Sequence, residues 1–216
     1  MALSDEAREE QNAFRRRIWD RDADRYDDQI GWCERRILGE GHREWACAHA
    51  EGNVLEVAIG TGLNLPFYRD ELRVVGIDLS PEMLAIARRR AAEIGRTVDL
   101  QEGDAHQLSF GDSTFDTVVC TLSLCNIPDV ERSLSEMHRV LRPGGRLVLV
   151  DHVRSTSRPV LWLQKLIELG SLRFVGDHMT RRPAEQVERH GFRITEQERF
   201  RAGTVERLVA VKTASP

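Results

Sequence analysis

Long apolar runs are missing from this chain: no stretch of its 216 residues approaches the roughly 18 consecutive apolar positions a membrane-spanning helix needs. The first ten residues are charged rather than apolar, which argues against a secretory signal. The expectation is a cytoplasmic protein without stable membrane insertion, open at most to peripheral contact. A basic excess is missing as well. Lys and Arg number 31 against 35 Asp and Glu, a formal net charge of -4, so nucleic acid is not the expected partner. The triplets Arg15-Arg16-Arg17 and Arg88-Arg89-Arg90 have Glu9, Glu10, Asp20 and Glu93 close by and read as solvated helix faces. Cysteine is sparse. Cys33, Cys47, Cys120 and Cys125 show no Cys-x-x-Cys spacing, which argues against a zinc site and, in a reducing compartment, against disulfides. They read as small buried residues.

What is present suits one domain with a full core, at 41% hydrophobic and 31% charged residues. Residues 1–50 lack proline and carry Phe14, Ile18, Trp32, Ile37, Leu38 and Trp45 at helical spacings, which predicts a cap of two or three helices. From 51 to 216 strands and helices alternate. Strands are expected at 53–58, 73–78, 97–101, 115–121, 146–152, 192–199 and 204–212, and helices at 63–70, 81–94, 129–142 and 181–190. This alternation predicts a seven-stranded, mostly parallel α/β sheet with helices on both faces. Ser80-Pro81 supplies an N-cap and a first-turn proline, and Pro143-Gly144-Gly145 ends a helix ahead of a strand. The region 155–180 stands as a helical insertion. Its apolar core, Pro159 to Leu169, is too short and too charged to span a bilayer and is either core or a lid over a substrate.

The most informative run is Val54-Leu55-Glu56-Val57-Ala58-Ile59-Gly60-Thr61-Gly62. Leu65 occupies the place of the third glycine in the Gly-x-Gly-x-x-Gly turn that cradles a pyrophosphate. Gly-x-Gly alone also closes strand-to-helix turns that bind nothing. Here, however, Glu56 lies four residues before Gly60, and a second apolar strand ends in Asp78, 16 residues after Gly62. An acid at that point accepts hydrogen bonds from ribose hydroxyls. S-adenosylmethionine, with a carboxylate, an ammonium group and a ribose but no diphosphate, fits these residues.

Further motifs carry a likeness. They are Gly76-Ile77-Asp78-Leu79-Ser80-Pro81-Glu82-Met83-Leu84, Glu102-Gly103-Asp104-Ala105, Phe115-Asp116-Thr117-Val118-Val119 and Arg139-Val140-Leu141-Arg142-Pro143-Gly144-Gly145. With the glycine turn they make the chain, from about residue 50 onward, resemble the class I S-adenosylmethionine-dependent methyltransferases, whose sheet is Rossmann-like. The stretch Val118 to Cys125 and Asp151-His152-Val153 resemble the branch that includes vertebrate alkyl-thiol methyltransferases, and the loop after Gly60 resembles that of bacterial phospholipid N-methyltransferases. The resemblance implies a cofactor site in which Gly60, Thr61 and Gly62 approach the methionine portion and Glu56 orients that loop and meets the ammonium. It implies that Asp78 binds ribose, that Leu79 and Met83 flank adenine, and that Asp104 and the Ala105 N–H bind the base edge. Tyr26 matches a position that caps the methionine carboxylate, and Leu122 completes the set.

Methyl transfer from a sulfonium is an in-line displacement that alignment, desolvation and electrostatics can drive. A thiol acceptor, with an ordinary pKa near ~8.5, needs only a modest base. The candidates are His152, at the carboxyl end of the fifth strand, and His178 beside Asp177. A role as plain surface or satisfied histidines stays open for both. Leu124-Cys125-Asn126-Ile127-Pro128-Asp129 lacks the paired prolines and aromatic of enzymes that methylate nucleobases or glutamine. Trp19, Tyr26, Ile30 and Trp32 from the cap, with Trp162, Leu166 and Phe174 from the insertion, are expected to roof a pocket for a small, partly apolar acceptor. The expected activity is methylation of such a small-molecule acceptor, a thiol first or a natural-product oxygen or nitrogen atom, by a monomer or homodimer. The alternatives are a phospholipid N-methyltransferase and a non-catalytic cofactor-binding sensor.

Overall fold

Apolar, β-branched runs alternating with capped helices set the element order in the computed structural model, which describes residues 4–174 and 178–213. The chain opens with α1 (Asp5–Cys33), which runs into one π-helical turn at Glu34–Leu38, and α2 (His42–Ala48). Then come β1 (Asn53–Val57), a short 3-10 turn (Leu65–Phe67), β2 (Arg73–Asp78), α3 (Pro81–Glu93), β3 (Asp99–Glu102) and β4 (Phe115–Thr121). The rest is α4 (Val130–Val140), β5 (Leu141–His152), α5 (Arg158–Phe174), α6 (Pro183–Arg189), β6 (Phe192–Phe200) and β7 (Val205–Lys212).

The seven strands form one sheet in the order β3-β2-β1-β4-β5-β7-β6. Only β7 runs against its neighbours, as the pairs Val148↔Val209 and Ile194↔Ala210 show. Parallel strands buried on both faces read as mostly apolar runs, and the middles of β1 and β4 do, through Val54-Leu55 and Val118-Val119-Cys120. Leu55, Val57 and Val118 join Leu134 and Met137 of α4 on one face. Val54 and Val119 join Cys47 of α2 and Leu84 and Ala91 of α3 on the other. The Ser80 hydroxyl caps α3 by accepting from the Met83 N–H at 3.1 Å, and Asp129 caps α4 by accepting from the Arg132 N–H at 3.1 Å.

Two elements depart from the sequence pattern. The helix expected at 63–70 shrinks to the single turn Leu65–Phe67. Pro66 cannot donate there, and Tyr68 turns extended and places its hydroxyl 2.9 Å from the buried Glu56 carboxylate. The strand expected to begin at 146 begins instead at Leu141, which pairs with Phe115 before the register slips.

Strand order reverses direction between β1 and β4, with connections leaving to opposite sides. In open α/β sheets the crevice beyond the carboxyl ends of such strands is where ligands collect. Every element that matters below ends there.

Candidate active site

The crevice contains a cavity of about 700 Å³, part of it open to solvent. Its floor comes from the residues that follow β1, β2, β3 and β4. Gly60 takes φ +58°, and a Cβ added to it would meet nothing within 4 Å, so the backbone borders open space. Gly62, at φ +78°, has a different reason to be glycine: a Cβ there would lie 2.7 Å from Leu65. Ala58 and Leu122, each the first residue past its strand on either side of the reversal, adopt left-handed φ of +56° and +52° and line the cavity. Non-glycine residues hold that conformation only where the surroundings impose it, and functional sites are where it collects.

Asp78 is buried at the end of β2. Its carboxylate accepts from the Gly60 N–H at 2.8 Å and the Ser80 N–H at 2.9 Å, tying the glycine turn to α3. Burial pushes the carboxyl up to about 6, against the pull of those amides. Leu79 and Met83 form the adjoining apolar wall. Beyond β3, Asp104 accepts from the His106 N–H at 2.9 Å and pairs with its imidazole Nδ1 at 2.6 Å. Burial opposes the charged form, but the His106 side chain and amide hold Asp104 below its ordinary range.

Glu56 and Thr61 do not border the cavity among the described residues. Glu56 is buried beneath the turn, accepting from Asn64 Nδ2 at 2.8 Å and from the Tyr68 hydroxyl. Burial raises it to about 7. Asn64 also donates to the Thr121 hydroxyl at 2.9 Å, so one network joins β1, the turn and β4.

The roof is α1, which contributes Arg15, Trp19 and Tyr26. Trp19 and Tyr26 meet edge to face at 5.9 Å, and burial lifts the Tyr26 hydroxyl to about 12, which keeps it a neutral donor. Polar contacts pin this helix along its length. Asn12 donates to Asp104 at 2.8 Å, Ser80 donates to Asp20 at 2.6 Å and Thr61 donates to Asp27 at 2.6 Å, while Arg15 reaches the Asn126 carbonyl and Arg90 pairs with Asp27.

The loop after β4 closes the far side through Leu122, Ser123, Asn126, Ile127 and Pro128. His152 lies on the opposite side of that loop, in a group with Cys125 and Asp151 whose candidate ligand atoms lie within 4.8 Å of one another. The Asp151 carboxylate accepts from the Cys125 N–H at 2.9 Å and the His152 N–H at 2.7 Å. His178 donates its N–H to the Cys125 carbonyl at 3.1 Å, with its imidazole 4.0 Å from Glu168. Both histidines thus flank Cys125 rather than the cavity, and Asp177 falls outside the described residues. Burial pushes the Cys47 and Cys120 thiols well up, so neither is a nucleophile.

Tyr26, Gly60, Asp78, Leu79, Met83, Asp104, Ala105 and Leu122 therefore converge on one space. Sequence reasoning passed over His106, Asn12, Asp20 and Asp27. The two-residue spacing of Asp104 and His106 was the one available signal; the α1 contacts span 34 to 111 residues and leave no local trace. The 159–175 segment, expected as part of the roof, contributes no residue to this cavity among those described.

Comparison with known proteins gives a consistent result. Residues 55–149 match a family model described as a methyltransferase domain. Phosphatidylethanolamine N-methyltransferase of Cereibacter sphaeroides is 42% identical over 135 residues, covering 60% of this chain and 66% of that protein. Human thiol S-methyltransferase TMT1A is 34% identical over 174 residues, covering 77% and 70%. A SAM-dependent methyltransferase of Thermotoga maritima shares the fold with a TM-score of 0.72 at 20% identity, over 91% of this chain and 99% of that one. The chain spans roughly half to two thirds of the length of the first curated relatives it matches, 66% and 45%.

Proposed function

The chain belongs to the class I S-adenosylmethionine-dependent methyltransferases, and on that premise we propose that it methylates a small, partly apolar acceptor, a thiol before a natural-product oxygen or nitrogen atom. The observation that carries this reading is the roofed cavity itself. The same space is bordered by the buried Asp78 carboxylate, by the apolar Leu122, Ile127 and Pro128, and by Trp19 and Tyr26. Such a wall, closed over by α1, admits a compact apolar group and excludes a macromolecular chain.

The residues present fit the donor. Gly60 borders open space, Asp78 brings a buried carboxylate to the cavity, and Leu79 and Met83 make an apolar face beside it. In this reading Asp78 takes the ribose hydroxyls, Asp104 and the Ala105 N–H take the base edge, and Tyr26 donates to the methionine carboxylate. Glu56 acts from beneath by fixing the Gly60-Thr61-Gly62 turn through Asn64 and Tyr68. When bound, the donor supplies an electrophilic methyl group. The chain's own part is to align the acceptor and exclude water through α1; His152 and His178 lie across the loop from the cavity, so a thiol acceptor reacts as its thiolate, with its proton already lost to solvent.

A second reading is methylation of a phospholipid amine, favoured by the 42% identity to the phosphatidylethanolamine enzyme. Labelled donor offered to a panel of alkyl thiols, phenols, amines and phosphatidylethanolamine vesicles separates the two. The proposal expects label on thiols first; label confined to lipid establishes the second reading, and label on no acceptor leaves only a cofactor sensor.

A further inference from the structure

Helix α5 is built inside out. Beside the half-buried Val160 and Leu161, the side chain it buries most deeply is polar: Gln164 is 5% exposed, accepts from the Ser155 N–H at 2.8 Å and donates to the Val153 carbonyl at 2.9 Å. One turn later Glu168 accepts from the Thr180 hydroxyl at 2.7 Å. The opposite arc carries Trp162 at 67% exposed, Leu163 at 53%, Leu166 at 48%, Ile167 at 48% and Leu169 at 73%. Trp162, Leu166 and Leu169 follow the i, i+4, i+7 spacing, and Leu163 and Ile167 fill the stripe beside them. Among the described residues, this one helix holds five of the nine exposed large apolar side chains. Scattered exposed apolar residues need no explanation, but a continuous stripe on a helix anchored by buried hydrogen bonds does.

Charge indicates what covers the stripe. At the amino end of α5 a cleft is lined by Arg154, Arg158, Arg182 and Arg199, with Glu185 the single carboxylate on its wall. Arg182 is matched by Glu185 at 2.5 Å and Arg199 by Glu206 at 2.6 Å, while Arg154 and Arg158 have no carboxylate partner among the described residues. Lys165 adds an exposed cation on the helix. A chain of formal net charge -4 therefore gathers positive charge next to its apolar stripe. Trp and Leu on one face with basic residues alongside is the pattern of a helix lying in the plane of an anionic membrane surface. No helix among the described residues is long and apolar enough to cross a membrane, so contact by this element is at the interface.

We propose that the outward face of α5 and the adjoining arginine cleft dock the protein on a bilayer surface bearing anionic phospholipid, with Trp162, Leu163 and Leu166 in the headgroup boundary and Arg154 and Arg158 on lipid phosphates. The role goes beyond methyl transfer and holds for either acceptor.

Flotation of the full chain with phosphatidylcholine vesicles, with and without phosphatidylglycerol, tests the proposal without any turnover, so its outcome is separate from the identity of the acceptor. Binding is expected only with phosphatidylglycerol and should weaken as salt rises. The pair Trp162→Ser and Leu166→Ser should reduce it about tenfold or more. The pair Arg154→Glu and Arg158→Glu should remove the preference for phosphatidylglycerol, with melting temperature unchanged in both pairs. No binding to phosphatidylglycerol vesicles overturns the proposal, as does equal binding by the serine pair. Dimers in solution that the serine pair dissolves, without vesicle binding, assign the face to a second copy and overturn it too.

Discussion

Helices α1 and α5 are both held to the protein by polar side chains, and they differ in what they show to the outside. Along α1 the inward contacts are Asn12, Asp20 and Asp27, and the outward residues include Glu9, Glu10, Arg17, Arg21, Asp24 and Arg25. That face is made for water. Along α5 the inward contacts are Gln164 and Glu168, and the outward face is Trp162, Leu163, Leu166, Ile167 and Leu169. That face is not. A helix tied down by polar contacts along its length, with a solvated back, is a roof fixed over the cavity. A helix with a fixed polar footing and an apolar back is a platform held ready for a second phase.

The largest effect that would sharpen this contrast lies under the roof. Asp78→Ala should weaken S-adenosylmethionine binding by roughly 100-fold or more by calorimetry, because it removes a buried ionic acceptor and unties Gly60 from Ser80. Unchanged affinity would mean that the donor sits elsewhere. Next comes the footing of α5. Gln164→Ala should cost about 2 kcal/mol in denaturant unfolding, since it strands the Ser155 N–H and the Val153 carbonyl, whereas Trp162→Ser should stay within about 0.5 kcal/mol. If the tryptophan costs more than the glutamine, the helix is not inside out.

A smaller effect follows from pH. Asp78 titrates near 6 when folded, so donor affinity should fall, by up to about tenfold per pH unit, as pH drops below that value and the carboxyl protonates. Stability of the unliganded protein runs the other way. The folded value lies above the unfolded ~4, the folded state holds the extra proton between the two, and the Asp78 contribution therefore declines as pH rises from about 4 to about 6. Subtracting the pH profile of Asp78→Asn isolates that slope; two parallel profiles would contradict it. Smallest is the release of the roof. Asp27→Ala frees Thr61 and Arg90, and should raise the donor's dissociation rate a few-fold in stopped flow while leaving melting nearly unchanged.

Much of the floor was legible in the sequence because it is local. Period-two and apolar runs mark β1, β2 and β4, and a strand that ends in an acid marks Asp78 at the crevice. What was not legible depends on residues far apart in sequence. Asn12 meets Asp104 across 92 positions, and nothing in either neighbourhood records it. The left-handed turns at Ala58 and Leu122 are imposed by surrounding structure on residues that do not favour them. The short turn at Leu65–Phe67 follows from Pro66 and from the hydrogen bond that draws Tyr68 to Glu56, which no helical periodicity anticipates. Helix α5 is the clearest instance. Its apolar residues read as core or lid, and only the buried bonds of Gln164 and Glu168 show that the helix is turned around.

Hydrogen exchange on the intact protein, with S-adenosylmethionine in one arm and phosphatidylglycerol vesicles in the other, tests the contrast most directly. The donor should protect amides of α1 from Asn12 to Tyr26 and leave α5 unchanged, and the vesicles should protect α5 around Trp162 to Ile167 and leave α1 unchanged. Donor protection that appears in α5 and spares α1, or vesicle protection confined to α1, would contradict the account.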